Sequence, residues 1–288
     1  MNIILGTVQF GIHYGIANKS GQVEQGAINE ILKYAKKAGV INLDTAIAYG
    51  DSEKCLGSVG VSEWDIISKL PPIPENCLDV TGWVNEQIEG SLQRLQVDNL
   101  MAFMLHEPKQ LLKPYGRELW EAMQSCKKKG IVKKIGLSIY SPQEIEIFWN
   151  DFKPDIIQAP FNIIDQRMDT TGWLKRLHDA NIEVHIRSIF LQGLLLMNKR
   201  DRNEKFYQWN STWKIWDKWL YDEKLTPLEA CIGFINSKSI INHVVVGVET
   251  LQQLEQIVCN LDKTIDEFPK ELISTDENLI IPSNWAKL

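Results

Sequence analysis

The chain has 288 residues, 44% of them hydrophobic and 24% charged, with a formal net charge of −6. This is the composition of a globular chain able to bury a large core. Its acidity leaves no basic footprint, so neither nucleic acid nor an anionic membrane is an expected partner. No apolar run is long enough to span a bilayer, the opening Asn2-Ile3-Ile4-Leu5 has no charged leader or cleavage site, and the five cysteines are scattered without a C-x-x-C pair. A membrane span, a secretory signal, a disulfide framework and a structural zinc site are therefore not expected, and a reducing, cytoplasmic setting is. Nothing in the sequence specifies an oligomeric state.

In chain order, short apolar and β-branched runs recur at Ile3-Leu5, Val40-Leu43, Asp65-Ser68, Leu100-Leu105, Lys133-Leu137, Asp155-Ile157, Glu183-Ile186 and His243-Val246. Each is too short for a helix, and most are nearly continuous apolar stretches, as strands buried on both faces are. Helical spacing fills the gaps between them. Ile28, Ile31, Leu32 and Ala35 form one stripe and Val84, Ile88, Leu92 and Leu95 another. The run Lys127-Lys128-Lys129 falls at a predicted helix end, where cations are favourable. Ser141-Pro142 with Glu144, and Thr226-Pro227 with Glu229, read as an N-cap followed by proline at the first helical position.

Strand and helix alternating eight times predict a (β/α)8 TIM barrel, one domain over residues 1–288. An open doubly wound sheet is disfavoured, because Gly6-Thr7-Val8-Gln9-Phe10-Gly11 is not a G-x-G-x-x-G turn opening a helix. One irregular stretch, residues 198–224, carries four of the ten tryptophans and lies between the seventh strand and the last helical repeat. Within it Trp209, Trp213, Trp216 and Leu220 form a helical stripe suited to packing. The alternative is that the stretch covers the barrel rim and offers a substrate an aromatic wall.

Barrels of this type carry their chemistry at the C-terminal ends of the strands. Those ends deliver Asp44 with Tyr49 five residues on, then Lys69, His106, Ser138, Gln158, Arg187-Ser188 and Gly247. Tyrosine titrates at about 10 and is a weak acid at neutral pH. A neighbouring ammonium lowers that value, an aspartate holds the ammonium in place, and a histidine on the next strand is suited to orient a carbonyl oxygen. None of these groups donates electrons, so reduction requires a bound hydride donor. No Glu/Asp/His cluster suited to a metal falls at these strand ends, and no metal site is expected.

Leu43-Asp44-Thr45-Ala46 with Tyr49-Gly50 and Ser52-Glu53, Ile67-Ser68-Lys69 and Met104-Leu105-His106 resemble the aldo-keto reductases in order and spacing. The likeness extends through Gly6 to Gly11, Ile135-Gly136-Leu137-Ser138, Gln158 to Asn162, Arg187 to Gly193, and Val246-Gly247 with Gln253-Leu254. It implies reduction of an aldehyde or ketone, with Tyr49 as proton donor, Lys69 and Asp44 as its tuning pair, and His106 orienting the carbonyl. It further implies a nicotinamide dinucleotide, its carboxamide on Ser138 and Gln158. Gly6 and Thr7 would lie against it, Ser188, Leu191 and Gly193 along its pyrophosphate, and Gly247, Glu249 and Gln253 toward its adenosine end.

Three positions depart from the family pattern. Ile139 stands where an asparagine is common, Arg187 where an aromatic ring often stacks on the nicotinamide, and Ile257 near an expected adenine-binding asparagine. Family habit favours NADPH, but the segment Gly247-Val248-Glu249-Thr250 places a carboxylate, not Arg or Lys, near the ribose, which makes NADH a serious alternative. Glu249 could instead merely cap the following helix. The substrate expected is a small carbonyl compound, a sugar-derived one if the tryptophans reach the rim. The competing functional class is a dinucleotide-binding regulatory or scaffold barrel with little turnover.

Overall fold

The computed structural model describes residues 1–288. Eight strands, β1 (Ile3–Gly6), β2 (Asn42–Asp44), β3 (Asp65–Leu70), β4 (Leu100–Leu105), β5 (Val132–Ser138), β6 (Ile156–Pro160), β7 (Glu183–Arg187) and β8 (His243–Gly247), close into a barrel in sequence order, and every neighbouring pair is parallel. The helices between them include Gln25–Lys37, Val80–Leu95, Gly116–Lys128 and Pro227–Asn236, and Leu251–Cys259 follows β8 to pack against the first. This is the (β/α)8 architecture that the alternating pattern predicts.

Strand β2 begins two residues later than its apolar run because Val40 belongs to the preceding helix end. Gly39 takes a left-handed φ of 80°, and the Val40 N–H then donates to the Ala35 carbonyl at 2.9 Å. Strands β3 and β5 run further than their apolar stretches, so Lys69 and Ser138 lie within the ladder rather than beyond it.

Side chains alternate across each strand. Outward-facing Leu5, Leu43, Ile66, Phe103, Leu137, Ile157, Val184 and Val246 join the helices in a core cluster of 70 buried residues. Inside the barrel, Ile4, Ile67, Ala102, Met104 and Ile156 form a small apolar layer packed by Val245. Two residues further along the same strands stand Gly6, Lys69, Gln158 and Gly247, and two residues back from Val245 stands His243. The barrel interior is therefore an apolar waist between two polar ends.

The 198–224 stretch folds into short 3-10 turns and the helix Asn210–Asp222. Trp209, Trp213, Trp216 and Leu220 are all buried, as the stripe predicts. Their neighbourhood includes the C-terminal segment: Trp209 Nε1 donates to Asp276 Oδ2 at 2.8 Å, and Phe206 meets Trp285 edge to face at 4.9 Å. The five cysteines are unpaired, and no helix is long and apolar enough to cross a membrane.

Candidate active site

Tyr49 sits in the turn between β2 and the helix Ser52–Val59, and close backbone approach fixes that turn. A Cβ on Gly11 would stand 1.7 Å from the Tyr49 carbonyl oxygen, and one on Gly50 would stand 2.6 Å from the Gly11 carbonyl oxygen. Only glycine at both positions lets the two segments touch. Ser52 bolts the turn to β1, donating from Oγ to the Thr7 carbonyl at 2.9 Å and sharing hydrogen bonds with the Thr7 and Thr45 hydroxyls. Glu53, also buried, accepts from Ser68, Ser91 and Arg94. The Ser52-Glu53 pair thus anchors the tyrosine turn without touching the cavity.

Lys69 and Asp44 form an ion pair with side chains 1% and 4% exposed, Nζ lying 2.5 Å from Oδ1. Burying two charges is costly unless their remaining hydrogen-bonding capacity is met. Here it is met: Lys69 Nζ also donates to the Thr45 carbonyl at 2.9 Å and reaches Tyr49 Oη at 3.5 Å, while Gln158 Nε2 donates to Asp44 Oδ2 at 2.7 Å. Ser138 Oγ in turn donates to Gln158 Oε1 at 3.5 Å. Ser138 and Gln158 are thereby joined to the Asp44–Lys69–Tyr49 set in one network.

His106 closes the group from β4, its ring edge-on to Tyr49 with centroids 5.7 Å apart. Burial, reinforced by the charges of Lys69 and Arg187, pulls its pKa down to about 4, so the imidazole is neutral at pH 7. The tyrosine departs from the sequence expectation. Burial first, and the Asp44 charge second, hold the Tyr49 phenol well above its ordinary value instead of below it. Desolvation outweighs the ammonium because Lys69 spends its best-placed protons on Asp44 and Thr45. The phenol is consequently protonated at neutral pH, the state that a proton donor requires.

These groups open onto a cavity of about 840 Å³. Of the residues the sequence singled out, Gly6, Thr7, Asp44, Tyr49, His106, Ser138, Gln158, Arg187, Ser188, Gly193, Gly247, Glu249 and Gln253 all line it. Lys69 stands behind the wall and Leu191 is fully buried beneath its own loop. That loop is strained: Ser188, Leu191, Gln192 and Gly193 all take positive φ between 48° and 86°. Such conformations are costly for residues other than glycine and gather where backbone clamps a ligand. A Cβ on Gly247 would stand 2.6 Å from Gln9 Oε1, so the Gln9 side chain would have to move to admit one. That oxygen is itself buried without a partner. A strained loop, an orphaned acceptor and a glycine-lined wall fit an elongated polar ligand such as a dinucleotide.

The departures noted in the sequence acquire definite surroundings. Arg187 donates to the Ile139 carbonyl at 3.0 Å and lies 4.6 Å over the Tyr140 ring, and it is the only Arg or Lys lining the cavity. Glu249 does not cap the helix Leu251–Cys259. Thr250 does so, its Oγ accepting from the Gln253 N–H, while the Glu249 N–H is taken by the Gln253 side chain at 2.7 Å. Burial raises the Glu249 pKa, with His13 opposing. Lys263 is engaged by Glu229, away from the cavity.

Gln9, Tyr14, Tyr140, Gln192, Gln256 and Asn260 also line the cavity and escaped the sequence reading. Gln256 and Asn260 follow Gln253 at near-helical spacing, which was the available signal. Tyr14 and Gln192 meet across two loops, Gln192 Nε2 donating to Tyr14 Oη at 3.0 Å, and nothing local marked that pairing. The tryptophans of the 198–224 stretch are absent from the wall; besides Tyr49, its tyrosine and phenylalanine members are Tyr14, Tyr140 and Phe190.

Comparison with known proteins agrees with this geometry. The chain is 27% identical over 181 residues to the aldo-keto reductase YhdN of Bacillus subtilis, covering 58% of this chain and 53% of that one. It is 30% identical over 170 residues to a D-galacturonate reductase of Fragaria ananassa, covering 50% of each. The chain thus spans about half the length of these curated relatives. The structure of the aldo-keto reductase AKR11C1 from Bacillus halodurans superposes with a TM-score of 0.73 at 18% identity, over 92% of this chain and 88% of that one, and shares its fold. The model of the aldo/keto reductase family matches residues 2–272, nearly the full length, and the chain belongs to that family.

Proposed function

We propose that the chain reduces an aldehyde or ketone to the corresponding alcohol with a nicotinamide dinucleotide, Tyr49 delivering the proton. The observation that carries this reading is the position of Tyr49, between the buried Lys69–Asp44 pair and the neutral ring of His106, on the wall of a large cavity. When bound, the nicotinamide supplies a hydride to the carbonyl carbon. A ring N–H of His106 donates to the carbonyl oxygen and sets its position. As that oxygen gains charge, the Tyr49 O–H bond breaks and its proton passes to the oxygen. The phenolate left behind is stabilised by the Lys69 ammonium until solvent restores the proton.

Ser188 and Gly193 suit the pyrophosphate, because both line the cavity on the strained loop that follows β7. Gly6 and Thr7 suit the dinucleotide's flank. Leu191 serves only to hold the loop, since its side chain does not reach the cavity. The site carries no cation on the β8 side to hold a 2′-phosphate, and Glu249 stands there instead. Preference for NADPH over NADH is accordingly weak or inverted. The substrate is a small carbonyl compound, and a sugar-derived one belongs in the first panel because Tyr14 and Tyr140 still supply aromatic surface.

The test is Tyr49→Phe, assayed with both reduced dinucleotides against small aldehydes, ketones and sugar-derived carbonyls. Loss of a general acid lowers the rate roughly 10²- to 10⁴-fold, while cofactor binding by fluorescence titration stays unchanged. A loss smaller than about threefold, well short of that range, sinks the assignment. Bound cofactor with no turnover by the parent protein on any carbonyl points to a regulatory barrel instead.

A further inference from the structure

The opposite end of the barrel holds a second group of chemistry-bearing side chains that carbonyl reduction does not use. Glu183 and His185 on β7 and His243 on β8 project from the N-terminal halves of their strands toward the barrel mouth, below the apolar waist. His185 and His243 are register partners, and their rings lie 4.7 Å apart, edge to face. Glu183 Oε2 is 3.3 Å from His185 Nε2, and one ligand-type atom from each of the three residues lies within 4.8 Å of the others. Nδ1 of His185 and Nδ1 of His243 are both buried and have no hydrogen-bonding partner. His185 itself is only 2% exposed. A buried imidazole nitrogen left unpaired is costly and calls for an explanation.

We propose that Glu183, His185 and His243 form a binding site for a divalent transition-metal ion of the zinc type. Zinc holds nitrogen and carboxylate oxygen at roughly 2.0–2.2 Å in a tetrahedron, whose edges are then about 3.4 Å. The Glu183 Oε2–His185 Nε2 separation of 3.3 Å already has that length, and one ligand atom of His243 lies within 4.8 Å of one from each of the other two. Two imidazoles and one carboxylate are a set that zinc accepts, with the half-exposed side of His243 leaving a fourth position to water. The opposing feature is Lys134, whose ammonium is paired with the other Glu183 oxygen and repels a cation.

The experiment is zinc titration of the full chain after chelator stripping, read by bound-metal stoichiometry and by the thermal unfolding midpoint. One equivalent is expected, with a raised midpoint, and His243→Gln or Glu183→Gln should abolish both. Lys134→Met provides a gain-of-binding arm that does not depend on the folding of those variants, and should tighten binding at least about tenfold by removing the repelling charge. Cobalt substitution should give four-coordinate visible bands without thiolate charge transfer. No stoichiometric zinc in the parent, zinc retained undiminished in His243→Gln, unchanged affinity in Lys134→Met, or a thiolate signature would each overturn the site.

Discussion

The two ends of the barrel interior use the same parts to different effect. Each has a lysine paired with a carboxylate and a histidine held near pKa 4. At the C-terminal rim the pair is buried, with side chains 1% and 4% exposed, and nearly every polar atom around it is accounted for. At the N-terminal mouth the pair is 28% and 30% exposed, and the neighbouring histidines are left with unmatched nitrogens. The rim holds one fully partnered arrangement around Tyr49. The mouth is incomplete as it stands, and its lysine is a partner that can be exchanged.

Removing the rim lysine tests that contrast most severely. Lys69→Met strands the Asp44 carboxylate in the interior, and breaking a buried pair from one side costs about 3–5 kcal/mol. Denaturant unfolding should show that loss, and the rate should collapse with it as Tyr49 loses the charge that stabilises its anion. A stability change below about 1 kcal/mol, the range of exposed pairs, would mean that the rim pair is no more constrained than the mouth pair.

The cofactor end of the rim has the next largest expected effect. Glu249→Arg replaces a carboxylate with a phosphate-binding group, and a hydrogen bond to a charged group contributes about 1.5–3 kcal/mol. NADPH affinity relative to NADH should rise at least about tenfold, and less so at high salt. A parent protein with tight, salt-insensitive NADPH preference would show that the phosphate lies elsewhere.

Acid should also separate the ends through His106. Its folded pKa of about 4 lies below the unfolded value of about 6.5. Between those values the unfolded chain binds the proton that the folded site refuses, so stability is complete above pH 6.5 and is lost as pH falls toward 4. His106→Gln should flatten the His106 share of that decline in unfolding measurements on metal-free protein. An unaltered acid limb would locate the titration in other groups.

The smallest effect belongs to Lys134→Met. With both partners nearly one-third exposed, its loss in metal-free protein should cost no more than about 1 kcal/mol. A penalty matching that of Lys69→Met would place the mouth on equal footing with the rim.

Much of this contrast was legible in the order of residues. Eight apolar runs separated by helical stripes predict a closed parallel barrel, because a strand covered on both faces leaves no polar alternation and a parallel neighbour requires a helix between. Polar residues after those runs predict the rim, and Asp44, Tyr49, Lys69 and His106 meet there because strand ends converge in a closed barrel. The same logic did not reach Glu183 and His243. They open the predicted strand runs Glu183-Ile186 and His243-Val246, and they come together only when β7 and β8 pair, with His185 opposite His243.

What the sequence determined by itself is therefore whatever depends on local period and on chain order: the strands, the helices, the tryptophan stripe and the identity of the rim residues. Tertiary structure decided what depends on desolvation and on contacts between distant segments. It placed Tyr49 above rather than below its ordinary pKa, turned Leu191 away from the cavity, gave the helix cap to Thr250 instead of Glu249, and paired Tyr14 with Gln192. The physical reason is that a residue's charge state and reach are set by what surrounds it in space, and in a barrel those surroundings come from strands and loops far apart in the chain.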